Sequence, residues 1–214
     1  MSRTADPEMR SRILDAADRL LARHGFRRMT IEAVAKEAGV GKGSVYLHFT
    51  SKEDVALSCI DRMAGRVATE LERLAQEKGT AFSRLRAMLR ARVLDRFDYA
   101  RRHAPSIDEK LAIMRAALLE RRARHFAREA ATLACVVAEG CRSGELRAVT
   151  AERTGRALVA ATNSLLPYSL SVRELGRRTA LAKRLDELID LLLAGLTRGA
   201  LPGPTRRSNT RRVS

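Results

Sequence analysis

The 214-residue sequence has little aromatic content (4%), no tryptophan and only three cysteines, Cys59, Cys135 and Cys141. The cysteines are odd in number and lack the spacing of a metal site, so we expect free thiols in a reducing compartment. No apolar run approaches the ~18–20 residues that span a bilayer. The N-terminus lacks the apolar core of a signal peptide. We therefore expect a cytoplasmic protein without a membrane span.

Charge and apolar residues are abundant instead. The chain holds 41 Lys and Arg against 25 Asp and Glu, a net charge of +16, while 45% of its residues are hydrophobic. This combination favours a folded protein that meets a polyanion, either nucleic acid or a membrane surface. The charge is diffuse, because residues 1–52 hold 10 basic and 6 acidic side chains and residues 203–214 hold 4 basic and no acidic ones.

Helical signals dominate the chain, and period-two alternation and Asn-Gly or Asp-Gly turns are missing. Asp6 and Pro7 begin the first helix, whose apolar stripe runs until Gly25, and Thr30 and Ser51 are further N-caps. Glycine, proline and serine mark the other boundaries. We predict an all-α protein with helices at roughly 7–25, 31–38, 42–49, 52–78, 80–101, 106–142, 150–166 and 177–197.

Three units follow from this pattern. Residues 1–52 form an N-terminal three-helix domain that contains a helix-turn-helix, residues 53–200 form a helical bundle, and residues 201–214 form a basic disordered tail. The leucines of the last helix cover more than one stripe, which is typical of a helix that packs on its own core and on a partner.

Residues 30–52 carry the most information about function. Two short helices are joined at Gly39, Val40 and Gly41, and apolar residues on both face a small core shared with the first helix. The second helix exposes Lys42, Ser44, Tyr46, Leu47 and His48. Small and hydrogen-bonding side chains near a helix N-terminus suit insertion into the DNA major groove.

The N-terminal fifty residues resemble the DNA-binding domain of the tetracycline-repressor (TetR) family. The matching segments are 13–20, Gly25-Phe26, Thr30-Ile31, Val34-Ala35, 38–40, 43–49 and 51–53. Met29 departs from the family, which often has threonine there. The remainder of the chain fits the family only in length and helical character.

The resemblance implies that seven residues contact DNA: Thr30, Lys42, Gly43, Ser44, Tyr46, His48 and Lys52. Lys42, Gly43 and Ser44 would face bases, with Lys42 reaching a guanine edge. Tyr46 and His48 would contact phosphate or sugar, and Thr30 and Lys52 would anchor the backbone on either side. Taken singly, Tyr46 could equally be a core aromatic and His48 an ordinary surface histidine.

For the whole chain, the resemblance implies a homodimeric, ligand-responsive repressor that leaves a palindromic operator when a small molecule binds. The helices at 150–166 and 177–197 would form a four-helix bundle across the two-fold axis. Polar candidates for the effector pocket are His103, His125, Asn163 and Tyr168. The effector, the operator sequence and the choice between repression and activation stay open.

Other functions find less support in the sequence. Residues 39–44 resemble a phosphate-binding loop, but Lys36 and Gly43 stand where that motif needs glycine and serine or threonine. We expect no enzyme activity, metal or cofactor, since no catalytic set or metal spacing occurs. The arginines between residues 84 and 102 are interpreted as a solvated helix face. The alternative function is a basic helical module that binds a membrane surface or another protein.

Overall fold

The computed structural model describes residues 6–103, 115–166 and 176–197. Helices dominate this part of the chain, which contains no strand, so the predicted all-α class is confirmed. Tyr168 and residues 201–214 lie outside the described residues. The helices are α1 (Pro7–Arg28), α2 (Ile31–Ala38), α3 (Lys42–Tyr46), α4 (Lys52–Ala75), α5 (Ala81–Arg102), α6 (Arg115–Ser143), α7 (Ala151–Thr162) and α8 (Arg178–Ala194).

The predicted N-caps are confirmed by their hydrogen bonds. The side chains of Asp6, Thr30 and Ser51 accept from the backbone N–H groups two or three residues further on, at 2.9–3.1 Å. Each bond satisfies a donor that the helix itself leaves without a partner. The sequence therefore defines where α1, α2 and α4 begin.

Several helix ends differ from the prediction, including two in the N-terminal region. α1 does not stop at Gly25, because helical turns resume after a break there (φ 79°) and bury Phe26. α3 ends at Tyr46 instead of Phe49, and Phe49 turns inward to a buried position. At both ends, the burial of an aromatic ring in the core determines the path of the backbone.

The apolar residues form two cores, and α4 contributes to both. The first core joins α1, α2 and α3 to the beginning of α4 at Val55 and Cys59. The second core lies among α4–α8 and includes Met63 and Leu71 of α4. One continuous helix therefore links the two cores.

Helices α6 and α7 approach each other closely at Gly155. A Cβ atom at this position would lie 2.3 Å from the carbonyl oxygen of Ala130, so only glycine fits. This approach brings Thr162 and Asn163, at the end of α7, within hydrogen-bond distance of Arg92 on α5.

The interpretation of the arginine run as a solvated face is wrong for two of its members. Arg92 and Arg96 are buried and share the carboxylate of buried Glu129 on α6. Arg92 Nε donates to Glu129 at 2.6 Å, and its Nη1 donates to Thr162 at 2.6 Å. Positions 92 and 96 are one helical turn apart on the face of α5 that the bundle covers, which composition could not reveal.

Candidate nucleic-acid interface

A glycine turn sets the angle between α2 and α3. Gly39 has φ 65°, in the left-handed region that favours glycine. Its N–H donates to the carbonyl of Lys36 at 3.2 Å, and the next N–H, of Val40, reaches Ala35 at 3.0 Å. These bonds close α2 as a C-cap and direct the chain into α3.

The inner side of α3 and of the turn after it is fixed by packing. Val45 and Phe49 are buried in the first core. The guanidinium carbon of Arg10 lies 5.1 Å from the centre of the Phe49 ring. Arg12 donates to the carbonyl of Ala38 at 3.0 Å, so α1 also holds the turn. A five-residue helix is too short to be stable alone, and these contacts hold it in place.

The outer side of α3 contacts no core. Tyr46 is 51% exposed and Leu47 is 58% exposed, which makes them two of the most exposed large apolar side chains of the described residues. Gly43 is open as well, since a Cβ added there would have no atom within 4 Å. Packing within the protein therefore does not explain why glycine, tyrosine and leucine occupy these three positions.

Lys42 begins the exposed face and has an acidic neighbour. Its Nζ pairs with the carboxylate of Glu32 on α2 and lies 6.0 Å from the Tyr46 ring centre. The hydrogen bond and charge of Glu32 raise the pKa of Lys42, and the pKa of Glu32 is lowered by the same bond. Both side chains are exposed, so this pair is weak and a phosphate or base can replace Glu32.

The remaining predicted contacts flank this face. The Thr30 hydroxyl accepts from the Ala33 N–H, and its hydrogen bond to Glu32 helps to lower the pKa of that carboxylate. The Lys52 Nζ lies 4.6 Å from the ring centre of Phe26. His48 is partly exposed, and its buried Nδ1 has no hydrogen-bond partner among the described residues. All seven predicted residues are at least partly exposed.

Sequence reasoning missed the acidic and basic neighbours of this surface. Glu32 precedes Lys42 by ten residues on another helix, and Arg10 and Arg12 come from α1. No local spacing relates these positions, because the turn at Gly39 decides which faces meet.

The three predicted effector contacts that lie within the described residues do not meet in one cavity. His125 lines a small cavity between α4 and α6 and lies 2.8 Å from Asp61. Buried His103 stacks on Tyr99 and lies 3.2 Å from Asp18 of α1. Asn163 accepts from Arg92. Tyr168 is outside the described residues, and the assignment of all four stays a prediction.

The described residues contain neither a candidate metal centre nor a membrane span. No group of three or more His, Cys, Asp or Glu side chains is placed to hold a metal ion there. Within the same residues, no helix has the length and apolar character needed to cross a membrane.

These features define a class of protein. A short helix, held by a glycine turn and a small core, presents an exposed side with a lysine, a tyrosine and glycine near its start. This is the arrangement of a helix-turn-helix DNA-binding domain.

The N-terminal domain is similar to known proteins. Residues 13–59 match the model described as bacterial regulatory proteins, tetR family. The fatty acid metabolism regulator protein of Bacillus subtilis is 36% identical over 73 residues, 34% of this chain and 38% of that protein. The N-terminal domain of the chain is therefore similar to that of tetR-family regulatory proteins. Its matches span less than half the length of such curated relatives.

The whole fold is also similar to solved structures. A transcriptional regulator from Cytophaga hutchinsonii superposes with a TM-score of 0.72 at 18% identity, covering 86% of this chain and 96% of that one. The transcriptional regulator FadR from Bacillus subtilis, in complex with stearoyl-CoA, gives 0.61 at 21% identity, covering 87% and 98%. At these identities the likeness concerns the fold of the helical body.

Proposed function

We propose that this protein is a transcriptional regulator that binds a palindromic operator as a homodimer and leaves it when a small molecule binds the body. The exposed outer side of α3 carries this proposal. Tyr46 and Leu47 are exposed although they are large and apolar, and Lys42 and Gly43 precede them on the same short helix. A partner surface explains such a face, whereas the protein core does not.

The roles on DNA follow the positions of the side chains. Lys42 exchanges Glu32 for a guanine edge, and Gly43 and Ser44 let the helix approach the bases closely. Tyr46 and His48 contact phosphate or sugar. Thr30 and Lys52 hold the backbone on the two sides of the groove.

The dimer forms through α7 and α8. Their outward faces include small and apolar residues among charged ones, and Leu191 is 73% exposed. Ala157 and Ala160 of α7 are exposed as well, which permits the close approach of a second helix pair. Two copies of α7 and α8 make a four-helix bundle, with the recognition helices about 34–36 Å apart or more, as a palindrome requires.

Effector binding acts through α4. This helix begins at the N-terminal core and continues into the body core, so a shift in the body changes the position of α3 in each protomer. The effector must bind the shifted state more tightly than the DNA-bound state, since equal affinity would release nothing.

Binding of Tyr46→Ala to duplex DNA tests the DNA-binding function. The operator is selected from a random duplex pool with the wild-type protein. We expect Tyr46→Ala to lose at least about tenfold in affinity, or about 1.4 kcal/mol, while its circular dichroism stays unchanged. Leu119→Ala is the matched control, because Leu119 on α6 is also an exposed apolar side chain (43%). Retained binding by Tyr46→Ala, or preference for anionic vesicles over duplex DNA, would contradict the proposal.

Sedimentation of Leu191→Glu tests the dimer. A charge at this exposed position of α8 weakens an apolar interface, so we expect dissociation at concentrations where the wild type is dimeric. Leu119→Glu is the control and stays dimeric. A monomeric wild type at micromolar concentration would overturn the interface.

A further inference from the structure

A small cavity at the junction of α4, α5 and α6 combines apolar walls with a cationic lining. Ile60 and Ala64 of α4 and Phe126 of α6 provide apolar surface. Arg96 comes from α5, and Arg121, Arg122 and His125 come from α6. Among the described residues, the lining contains no carboxylate.

The cations are concentrated around one aromatic ring. The guanidinium carbons of Arg92, Arg96 and Arg122 lie 4.9, 5.7 and 5.6 Å from the centre of the Phe126 ring. Arg92 and Arg96 share the single carboxylate of Glu129. The wall behind the cavity therefore holds two buried guanidiniums that share one buried carboxylate.

Two of the α6 cations that line the cavity, Arg121 and His125, contact carboxylates of α4. Asp61 binds Nη1 of Arg121 and lies 2.8 Å from Nε2 of His125. Arg121 Nη2 also lies 3.4 Å from Asp54, whose other oxygen accepts from the Thr50 N–H at 3.1 Å. Thr50 lies in the segment that connects α3 to α4. These contacts join α6 to the end of α4 that carries the DNA-binding domain.

A second cavity, between α4 and α5, does not favour a ligand class. It is larger, at about 250 Å³, but Arg66 and Arg102 share its lining with Asp95 and Asp98. Opposite charges there compensate each other. The α4–α6 cavity differs because the carboxylates that pair with its cations lie beside the lining, where the carboxylate of a ligand can replace them.

We infer that the α4–α6 cavity binds an organic carboxylate with an apolar group, whose carboxylate replaces Asp61 as the partner of Arg121 and His125. The apolar group packs on Ile60 and Phe126. The cavity now has a volume of about 10 Å³, room for about one water molecule. Binding therefore separates α6 from α4. The consequence of this separation is the release of α4 and of the DNA-binding domain, and this part of the inference rests on the proposed function.

Calorimetric titration with decanoate tests the ligand class. Decanol is the control that has the apolar chain but no charge, and inorganic phosphate is the control that has the charge but no apolar chain. We expect decanoate to bind the wild type at least about tenfold more tightly than either, because only decanoate supplies both groups. Equal binding of decanol and decanoate would overturn the carboxylate requirement, and equal binding of phosphate would overturn the apolar one.

Variants on both sides of the exchanged pair test the site. Arg121→Gln is expected to weaken decanoate binding about tenfold or more, and Asp61→Asn to strengthen it, because Asp61 competes with the ligand. Arg128→Gln is the control, since Arg128 lies on the same helix in an exposed pair with Glu72. Unchanged binding in both Arg121→Gln and Asp61→Asn, or an equal loss in Arg128→Gln, would overturn the site.

Operator binding of the same variants separates this inference from the proposed function. Without decanoate, the wild type and Arg128→Gln are expected to bind the selected duplex equally, whereas Arg121→Gln and Asp61→Asn bind it more weakly, because each removes a contact between α6 and α4. Decanoate then releases DNA from the wild type and from Arg128→Gln, but not from Arg121→Gln. Absence of DNA binding with intact decanoate binding would contradict the proposed function alone, and release of Arg121→Gln at wild-type concentrations would contradict the inference alone.

Discussion

The two regions of the molecule use their cations in opposite ways. On the DNA-binding surface, Lys42 is exposed and pairs with an equally exposed Glu32. In the body, Arg92 and Arg96 are buried around Glu129. Burial lowers the pKa of the Arg92 guanidinium to about 10, with Arg96 acting in the same direction and Glu129 against it.

This difference distinguishes charged side chains that can bind a partner from charged side chains that are fixed by contacts within the fold. An exposed pair contributes little to stability, so a lysine can leave its carboxylate for DNA at small cost. A buried pair has lost its water, and removal of one member leaves an uncompensated charge. The net charge of +16 thus does not report the size of the DNA-binding surface.

The largest expected effect is on the buried cluster. Glu129→Ala leaves two buried guanidiniums without a carboxylate, and we expect a loss of about 3–5 kcal/mol in the free energy of unfolding. Glu72→Ala, in an exposed pair with Arg128, is expected to cost less than about 1 kcal/mol. Urea unfolding at one protein concentration measures both. Similar losses would remove the distinction between the two kinds of pair.

A substitution of Lys42 tests the exposed charged pair of this comparison. We expect Lys42→Ala to reduce discrimination at one operator base pair by about 1–3 kcal/mol and to leave the salt dependence of binding nearly unchanged. Lys36→Ala, an exposed lysine on α2, is the control. Binding to single-base operator variants at several salt concentrations measures this. A smaller salt slope with intact discrimination would place Lys42 on a phosphate.

Two open glycines test whether the surface or the fold requires glycine. A Cβ meets no atom within 4 Å at Gly43 in α3 or at Gly65 in α4. We expect Gly65→Ala to add about 0.5–1 kcal/mol to the free energy of unfolding and to leave DNA binding unchanged. Gly43→Ala also folds but loses operator affinity, because its methyl group meets the DNA. Unchanged affinity in Gly43→Ala would exclude a close approach there.

The smallest expected effect is at the junction of the two regions, where Asp18 of α1 meets His103 and Tyr99 of α5. Burial alone would raise the pKa of Asp18, but the hydrogen bond and charge of His103, together with Arg62 and Tyr99, lower it below its ordinary value. A lowered folded pKa means that the carboxylate stabilises the protein above its unfolded pKa, and that this contribution is lost as the pH falls through the folded value.

Asp18→Asn therefore tests the junction through pH. We expect the stability difference between wild type and variant to be full above about pH 5 and to shrink as the pH falls below about 4. Thermal unfolding between pH 2.5 and 7 measures it. A difference that is constant over this range would mean that the carboxylate charge does not hold the two regions together.

The N-terminal region was largely predictable because its signals are local. Caps at Asp6, Thr30 and Ser51 and the turn at Gly39 act within a few residues of sequence. The exposed face of α3 follows from helical period once α3 is placed. The ends of α1 and α3 were mispredicted because Phe26 and Phe49 are drawn into a core formed by distant residues.

The body was predictable only as a helical bundle. Arg92 lies 37 residues from Glu129 and 70 from Thr162, and Arg121 lies 60 residues from Asp61. Helical period shows that Arg92 and Arg96 share a face but not whether that face is covered. For this reason the sequence alone suggested a solvated arginine face where the structure has a buried cluster.

The sequence by itself determined the helices, their starts and the domain that matches the TetR family, because hydrogen bonds and side-chain period act over a few residues. Only the tertiary structure decided which charges are buried and which can change partner. That outcome depends on how α4, α5, α6 and α7 pack, since burial of a charge requires partners from several helices at once.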